Sequence, residues 1–228
     1  MRSRLVAALA AATLALTACG SSSGSDDAKK SDISSLSAEQ IVAKAKKAAV
    51  SAKVLRMQGE GTEAGQSFSV DMTYVGEDAD GSFSIDGNQL NLRKVGGETF
   101  FKADDEFWKA QVGKDADQVI AVINGRWIKT NGEADFADLI GFTDRETLLG
   151  DTLKAEGTVK KGKTKTVEGV ECLGLDDTEG LLYVALDDAR PIKIVPKSSE
   201  GGMTFAYDDA EAPKAPAASD VIDSAQFQ

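Results

Sequence analysis

Between Gln66 and Arg93 the chain alternates apolar and polar residues with a period of two. Phe68, Val70, Met72 and Tyr74 fall on one side, and Ser67, Ser69, Asp71 and Thr73 on the other. Phe83 and Ile85 alternate with Ser82, Ser84 and Asp86, and Leu90 and Leu92 with Gln89, Asn91 and Arg93. Successive side chains of a strand point to opposite faces, so this pattern predicts strands with one apolar and one polar face. The breaks between them are short and contain Gly: Gly76 to Gly81, Asp86-Gly87-Asn88 and Gly96-Gly97. Together they predict an antiparallel meander. A sheet that is wet on one side and apolar on the other needs a second layer over its apolar face.

Helical segments can supply that layer. Ser37-Ala38-Glu39-Gln40 reads as an N-cap with its capping-box Gln, and Ile41, Val42, Ala45, Ala48 and Ala49 follow at helical spacing. Asp115 to Asn124 carries Val119, Ile120, Val122 and Ile123. Phe136, Leu139 and Ile140 form a further helical face. Thr143-Asp144-Arg145-Glu146 reads as a second capping box, leading into Leu148, Leu149 and Leu153. The C-terminal part returns to strand patterns at about Thr164 to Val167, Val170 to Leu175, Leu181 to Leu186, Pro191 to Val195 and Gly202 to Tyr207. Helix, strands, helices, strands is an α+β order rather than the alternation of a parallel sheet.

The N-terminus carries a different signal. Arg2 and Arg4 precede an apolar run from Leu5 to Leu16, too short to span a bilayer, which needs about 20 residues. Basic, apolar and then small residues is the order of an export signal. It ends in Leu16-Thr17-Ala18-Cys19, which resembles the lipobox of bacterial lipoproteins. That resemblance implies diacylglyceryl transfer to the Cys19 thiol and removal of residues 1–18. An ordinary secretory signal cut near Ala18 is the weaker reading, because every lipobox position is filled. After Cys19, residues 20–32 are Ser, Gly, Asp and Lys with a single Ala28, the composition of a flexible tether, so residues 19–32 read as the lipidated Cys and its tether. Residues 33–228 are expected to form a single domain, with a tail around Ala210 to Ala218.

Composition removes several function classes. There is no His, which excludes Ser-His-Asp and Cys-His catalysis and His-ligated zinc. The net charge of -11 argues against nucleic acid and against docking on anionic lipid by charge alone. Loss of Arg2 and Arg4 with the leader makes the mature chain more acidic still. With Cys19 acylated, Cys172 has no disulfide partner, and its apolar surroundings predict a buried, inert thiol.

Several short motifs have simpler explanations. Gly157 to Thr164 fits the phosphate-loop formula, but Lys165-Thr166-Val167-Glu168-Gly169 behind it does not read as a helix. A Lys-rich hairpin turn is expected there, and no nucleotide. Asp187 and Asp188 read as a turn before Arg190-Pro191. Gly20 to Gly24 fits a nucleophile-elbow formula but lies in the tether with no His to serve it. The acidic pairs lack calcium-loop spacing. No cofactor and no metal is expected. Trp108 and Trp127, each with a Lys nearby, read as core anchors with Lys stems laid along them.

The whole succession resembles the actinobacterial lipoproteins of the LppX/LprG type, within the LolA-like fold. The local signs are Asn124-Gly125-Arg126-Trp127-Ile128-Lys129, Gly169-Val170-Glu171 and Ala189-Arg190-Pro191-Ile192-Lys193-Ile194. The resemblance spans about residues 36–210. It implies a curved antiparallel half-barrel covered by helices, anchored by acyl chains on the outer face of the cell membrane. It further implies a non-enzymatic protein that binds or transfers a lipid or glycolipid between sheet and helices. The residues that would line such a cavity are Phe68, Val70, Met72, Phe83, Ile85, Leu90 and Leu92. The sequence fits an unfilled cavity and a solid core equally, and a solid core would suit an envelope sensor or interaction lipoprotein. A third class, a hydrolase working through paired carboxylates, requires two acids facing each other across a cleft.

Overall fold

The period-two segments fold as the strands their pattern demands. The computed structural model describes residues 33–63, 65–130, 137–197 and 200–227, so Cys19, the leader and the tether lie outside the described residues. Five strands form the first meander: β1 (Val54–Glu63), β2 (Gln66–Val75), β3 (Asp78–Ile85), β4 (Asn88–Val95) and β5 (Glu98–Ala103). Its register sets Met57 opposite Met72, Val70 opposite Phe83, Phe83 opposite Leu90, and Leu92 opposite Phe101. The apolar side chains therefore line up across the strands on one face. The hairpin between β3 and β4 turns on Asp86 and Gly87, with φ of 49° and 83°. Two consecutive left-handed residues match the right-handed twist of the flanking strands.

The helices follow. Ser37 caps α1 (Ala38–Val50) with the expected reciprocal box, its side chain accepting from the Gln40 N–H. α2 (Asp105–Val112), which the sequence reading did not anticipate, leads through a 3-10 turn into α3 (Ala116–Ile123). α4 (Ala137–Thr143) and α5 (Arg145–Thr152) abut without a linker. This arrangement changes the expected cap. Thr143 still belongs to α4 and donates to the Ile140 carbonyl. Only Asp144 has an extended backbone, and its carboxylate accepts from the Thr147 N–H at 2.8 Å. A cap residue must itself be non-helical, and Asp144 meets that condition where Thr143 does not.

Between α3 and α4 lies a short strand, β6 (Trp127–Thr130). After α5 come β7 (Lys160–Val167), β8 (Val170–Asp176), β9 (Gly180–Ala185), β10 (Pro191–Pro196), β11 (Gly201–Ala206) and β12 (Val221–Asp223). The segment around Gly162 and Lys163 is therefore strand, not the expected hairpin turn. The turn falls at Glu168 and Gly169, whose φ values are 49° and 79°. The tail crosses to the far side of the molecule, where β12 pairs with β6 in parallel.

Among the described residues all twelve strands belong to one sheet, ordered β12-β6-β5-β4-β3-β2-β1-β11-β10-β9-β8-β7. Its edges, β12 and β7, do not pair with each other, so the sheet is open. β1 joins the two meanders by pairing with β11, Met57 opposite Phe205. The apolar face divides into two main hydrophobic clusters. The larger holds Leu55, Met57, Met72, Tyr74, Leu92, Phe101 and Leu149. The other holds Ile33, Ile41, Ala45, Leu173, Leu175 and Val184. α1 contributes Ala49 to the first and Ile41 and Ala45 to the second, so one helix covers parts of both.

Candidate functional site

Where the two clusters meet, the helical cover leaves a gap. An open cleft of about 380 Å³ lies there. Its sheet side is made by Phe68 of β2, Leu175 of β8, Leu181 and Leu182 of β9, and Ile194 of β10. Its other side is made by Val42 of α1 and by Thr152, Leu153, Ala155 and Val159 at and after the end of α5. Leu182 packs against both clusters, which places the cleft on their seam. Leu175 and Leu153 are buried at its base, while Phe68, Leu181, Leu182 and Ile194 are half-buried. The volume lies in the range of about 300–1,000 Å³ usual for small-molecule sites.

A glycine makes room for the aromatic wall. Gly61 stands opposite Phe68 in the β1–β2 ladder. A Cβ on Gly61 would lie 2.8 Å from the Phe68 Cζ atom. Any larger residue there would push the ring out of its place.

The mouth is polar, with Lys154, Asp177, Glu179 and Thr62. Asp177 holds it in shape. Its two carboxylate oxygens accept from the backbone N–H groups of Glu156, Glu179 and Gly180, each at 3.0 Å. The Thr178 hydroxyl donates to the Glu156 carbonyl at 2.9 Å. These bonds staple the segment after α5 to the β8–β9 turn. Lys154 is bridged to Glu156 at 2.7 Å. Asp177 is thus a structural acid, with its lone pairs engaged by backbone donors.

The residues expected to line a cavity are distributed as follows. Phe68 lines the cleft. Val70, Met72, Leu90 and Leu92 are buried in the larger cluster, with Met72 and Leu92 at 0% exposure. Phe83 stacks on Phe142 of α4 at 4.5 Å between ring centroids. Ile85 is 42% exposed at the end of β3. Cys19 lies outside the described residues. The lining residues that pattern reading missed come from β8, β9 and β10 and from the end of α5. Their apolar alternation was legible, but not that they face β2 across a gap.

The polar face carries a second, shallow depression of about 330 Å³. Arg56 there donates twice to Asp71, at 2.9 and 2.8 Å, and Gln58 adds a third bond at 3.0 Å. Arg56 holds the Asp71 carboxyl below its ordinary range. Arg93 pairs with Asp80 at 2.5 Å, lies 4.9 Å over the Trp127 ring, and donates to the Lys214 carbonyl at 3.0 Å. Trp127 is therefore a platform for Arg93 and not the core anchor expected. Arg93 also fixes the tail on its way to β12. Trp108 does pack on the core, 6.1 Å from the Phe101 ring.

Cys172 is fully buried, and burial pushes its thiol above the ordinary value. Its burial is the one expected. No described helix is long and apolar enough to cross a membrane.

Comparison with known proteins gives the fold a reference. The chain has the fold of LprF from Mycobacterium bovis, with a TM-score of 0.50 and 11% identity over 78% of this chain and 96% of that one. Mycobacterium tuberculosis lipoprotein LppX matches at a TM-score of 0.45 and 12% identity, covering 78% of this chain and 100% of that one. An uncharacterized conserved protein from Thermus thermophilus matches at 0.40 and 9% identity, over 82% and 98%. No family model and no curated protein matches the chain. The open antiparallel half-barrel with a helical cover, expected from the sequence resemblance, is thus the fold observed, and it is shared with LprF.

Proposed function

We propose that the chain is a cell-envelope lipoprotein, anchored through acyl chains on Cys19 to the outer face of the cell membrane, that holds an apolar ligand in the seam cleft. The ligand class is a lipid or glycolipid inserting a hydrocarbon tail. The observation that carries this reading is the cleft itself, a concave apolar surface left uncovered between two well-filled clusters. Apolar surface in contact with water costs about 25 cal/mol per Å². A hydrocarbon tail laid over Phe68, Leu181, Leu182 and Ile194 recovers that energy. Tight, directional polar contacts are not needed for such a ligand, and the fixed polar mouth leaves its headgroup in water.

The protein acts without catalysis in this reading. The acid nearest the cleft whose partners are defined, Asp177, is occupied by backbone donors. Proteins of this fold need not share a function, so the proposal stands on the cleft and the lipobox and not on the likeness to LprF.

Purification from native membranes without detergent, followed by organic extraction and mass spectrometry, tests the proposal. A reproducible lipid in near-stoichiometric amount is the expected result. Repeated absence of any bound lipid, with the cleft closed in the purified protein, would overturn it.

A further inference from the structure

We propose that the lysine-bearing edge of the sheet, strand β7, docks on the anionic headgroups of the membrane that holds the anchor, and so turns the cleft toward the bilayer. The proposal rests on the anchoring reading above. The whole chain is acidic, with a net charge of -11, but its charge is unevenly placed. β7 carries Lys160, Lys161, Lys163 and Lys165 and no acid, and all of its positions before Val167 are exposed. Lys160 and Lys163 enter no ion pair among the described residues. The neighbouring acids are largely answered from elsewhere. Asp176, opposite Lys160, is bridged by Lys197 at 2.5 Å, and Glu168 at the hairpin tip by Lys193 at 3.0 Å. Glu171, opposite Thr166, is the other acid on β8.

The second observation is where the anchored segment enters the domain. Lys161 donates through its ammonium to the Ser34 carbonyl at 2.7 Å. Ile33 is fully buried, in one cluster with Leu173 and Leu175 of the adjoining strand. The described part of the domain therefore begins beside β7, at Ile33 and Ser34. Residues 19–32 reach at most about 50 Å when fully extended. The edge nearest the attachment point is the one the membrane meets most often.

The third observation is adjacency to the cleft. Val159, just before β7, and Leu175, paired with Lys161, both line it. A docked β7 brings the cleft to the headgroup layer, where a tail can pass between bilayer and protein. Lysines on an edge strand also block pairing with a second sheet. That role alone does not require the start of the described domain to lie beside them, and the two roles predict different responses to lipid charge.

The test uses the mature lipidated chain reconstituted in two sets of liposomes, phosphatidylcholine alone and phosphatidylcholine with phosphatidylglycerol. Hydrogen exchange is read over residues 160–167. Exchange there is expected to slow in the phosphatidylglycerol liposomes only, and to recover at high salt. In the variant Lys160→Gln/Lys163→Gln/Lys165→Gln, which leaves Lys161 on Ser34, docking weakens by about fivefold for each lysine removed. A chain that floats with both liposome sets but shows the same β7 exchange in each overturns the docking alone. A chain that floats with neither overturns the anchoring reading and the docking together. The salt response of the unaltered protein decides the matter even if the triple variant folds poorly.

Discussion

The Tyr74 hydroxyl donates a 2.6 Å hydrogen bond to the Phe142 carbonyl oxygen, tying the end of α4 to the apolar face of β2. Tyr74 is 1% exposed, so the bond forms where water does not compete. It joins the helical cover to the meander at a point where Phe142 also stacks on Phe83. Removing the hydroxyl leaves the carbonyl without that donor while keeping the ring. Tyr74→Phe is expected to cost about 1–2 kcal/mol in urea unfolding. Its main structural effect should be faster hydrogen exchange in α4, with β1 to β4 unchanged. An unfolding midpoint equal to that of the unaltered protein would contradict this.

Burial raises the pKa of both Tyr74 and Tyr207 well above the ordinary phenol value. The sign follows from linkage. The folded state holds the proton more tightly than the unfolded state, so the contribution to stability is complete below about pH 10, the unfolded value, and is lost as pH rises through the folded pKa. Unfolding free energy measured against pH should fall on the alkaline side. The double variant Tyr74→Phe/Tyr207→Phe starts lower at neutral pH and should show a shallower alkaline fall. An equal slope in both proteins would show that other groups govern the alkaline limb.

Thr62 sits at the polar mouth of the cleft and is exposed. A large residue can be placed there without disturbing the core. Thr62→Trp should lower the affinity for a fluorescent fatty-acid probe by about tenfold, equivalent to about 1.4 kcal/mol, with thermal stability unchanged. Ile85, exposed at the end of β3, which β2 separates from β1, and not a lining residue of the cleft, provides the contrast. Ile85→Ser should leave probe binding within twofold of the original, roughly 0.4 kcal/mol. The reverse order of effects would move the binding site from the seam to the outer end of the meander.

Gly81 is enclosed by its neighbouring strand. A Cβ there would lie 2.1 Å from the Asp71 carbonyl oxygen and 2.8 Å from the Met72 Cα atom, both backbone atoms that cannot swing aside. Gly81→Ala should therefore destabilise by about 2–4 kcal/mol, far more than a surface alanine does. Circular dichroism during chemical unfolding measures it. Gly87→Ala, in the open hairpin with φ of 83°, should cost less, about 1 kcal/mol, through backbone strain alone.

The period-two runs from Phe68 to Leu92 determined by themselves which side chains share a face, because strand geometry sends alternate residues to opposite sides whatever lies around them. Ser37 and Gln40 likewise announced the start of α1, and Asp86-Gly87 its hairpin, since caps and tight turns are settled within four or five residues. Leu16-Thr17-Ala18-Cys19 resembles a lipobox in the sequence alone, since it lies outside the described residues. Tertiary structure decided what depends on distant partners. Pairing of Met57 with Phe205 merges two meanders into one sheet, and the return of Val221 to Trp127 completes its far side. Neither pairing leaves a local trace. The cleft arises from the width of that sheet. Two clusters form on its apolar face, α1 reaches parts of both, and the seam at Leu182 is left partly uncovered. The same distinction applies to the lysines of β7. Their positions in the chain are plain, but only the fold sets them on an edge beside Ser34, because an edge exists only once the other described strands have found their order.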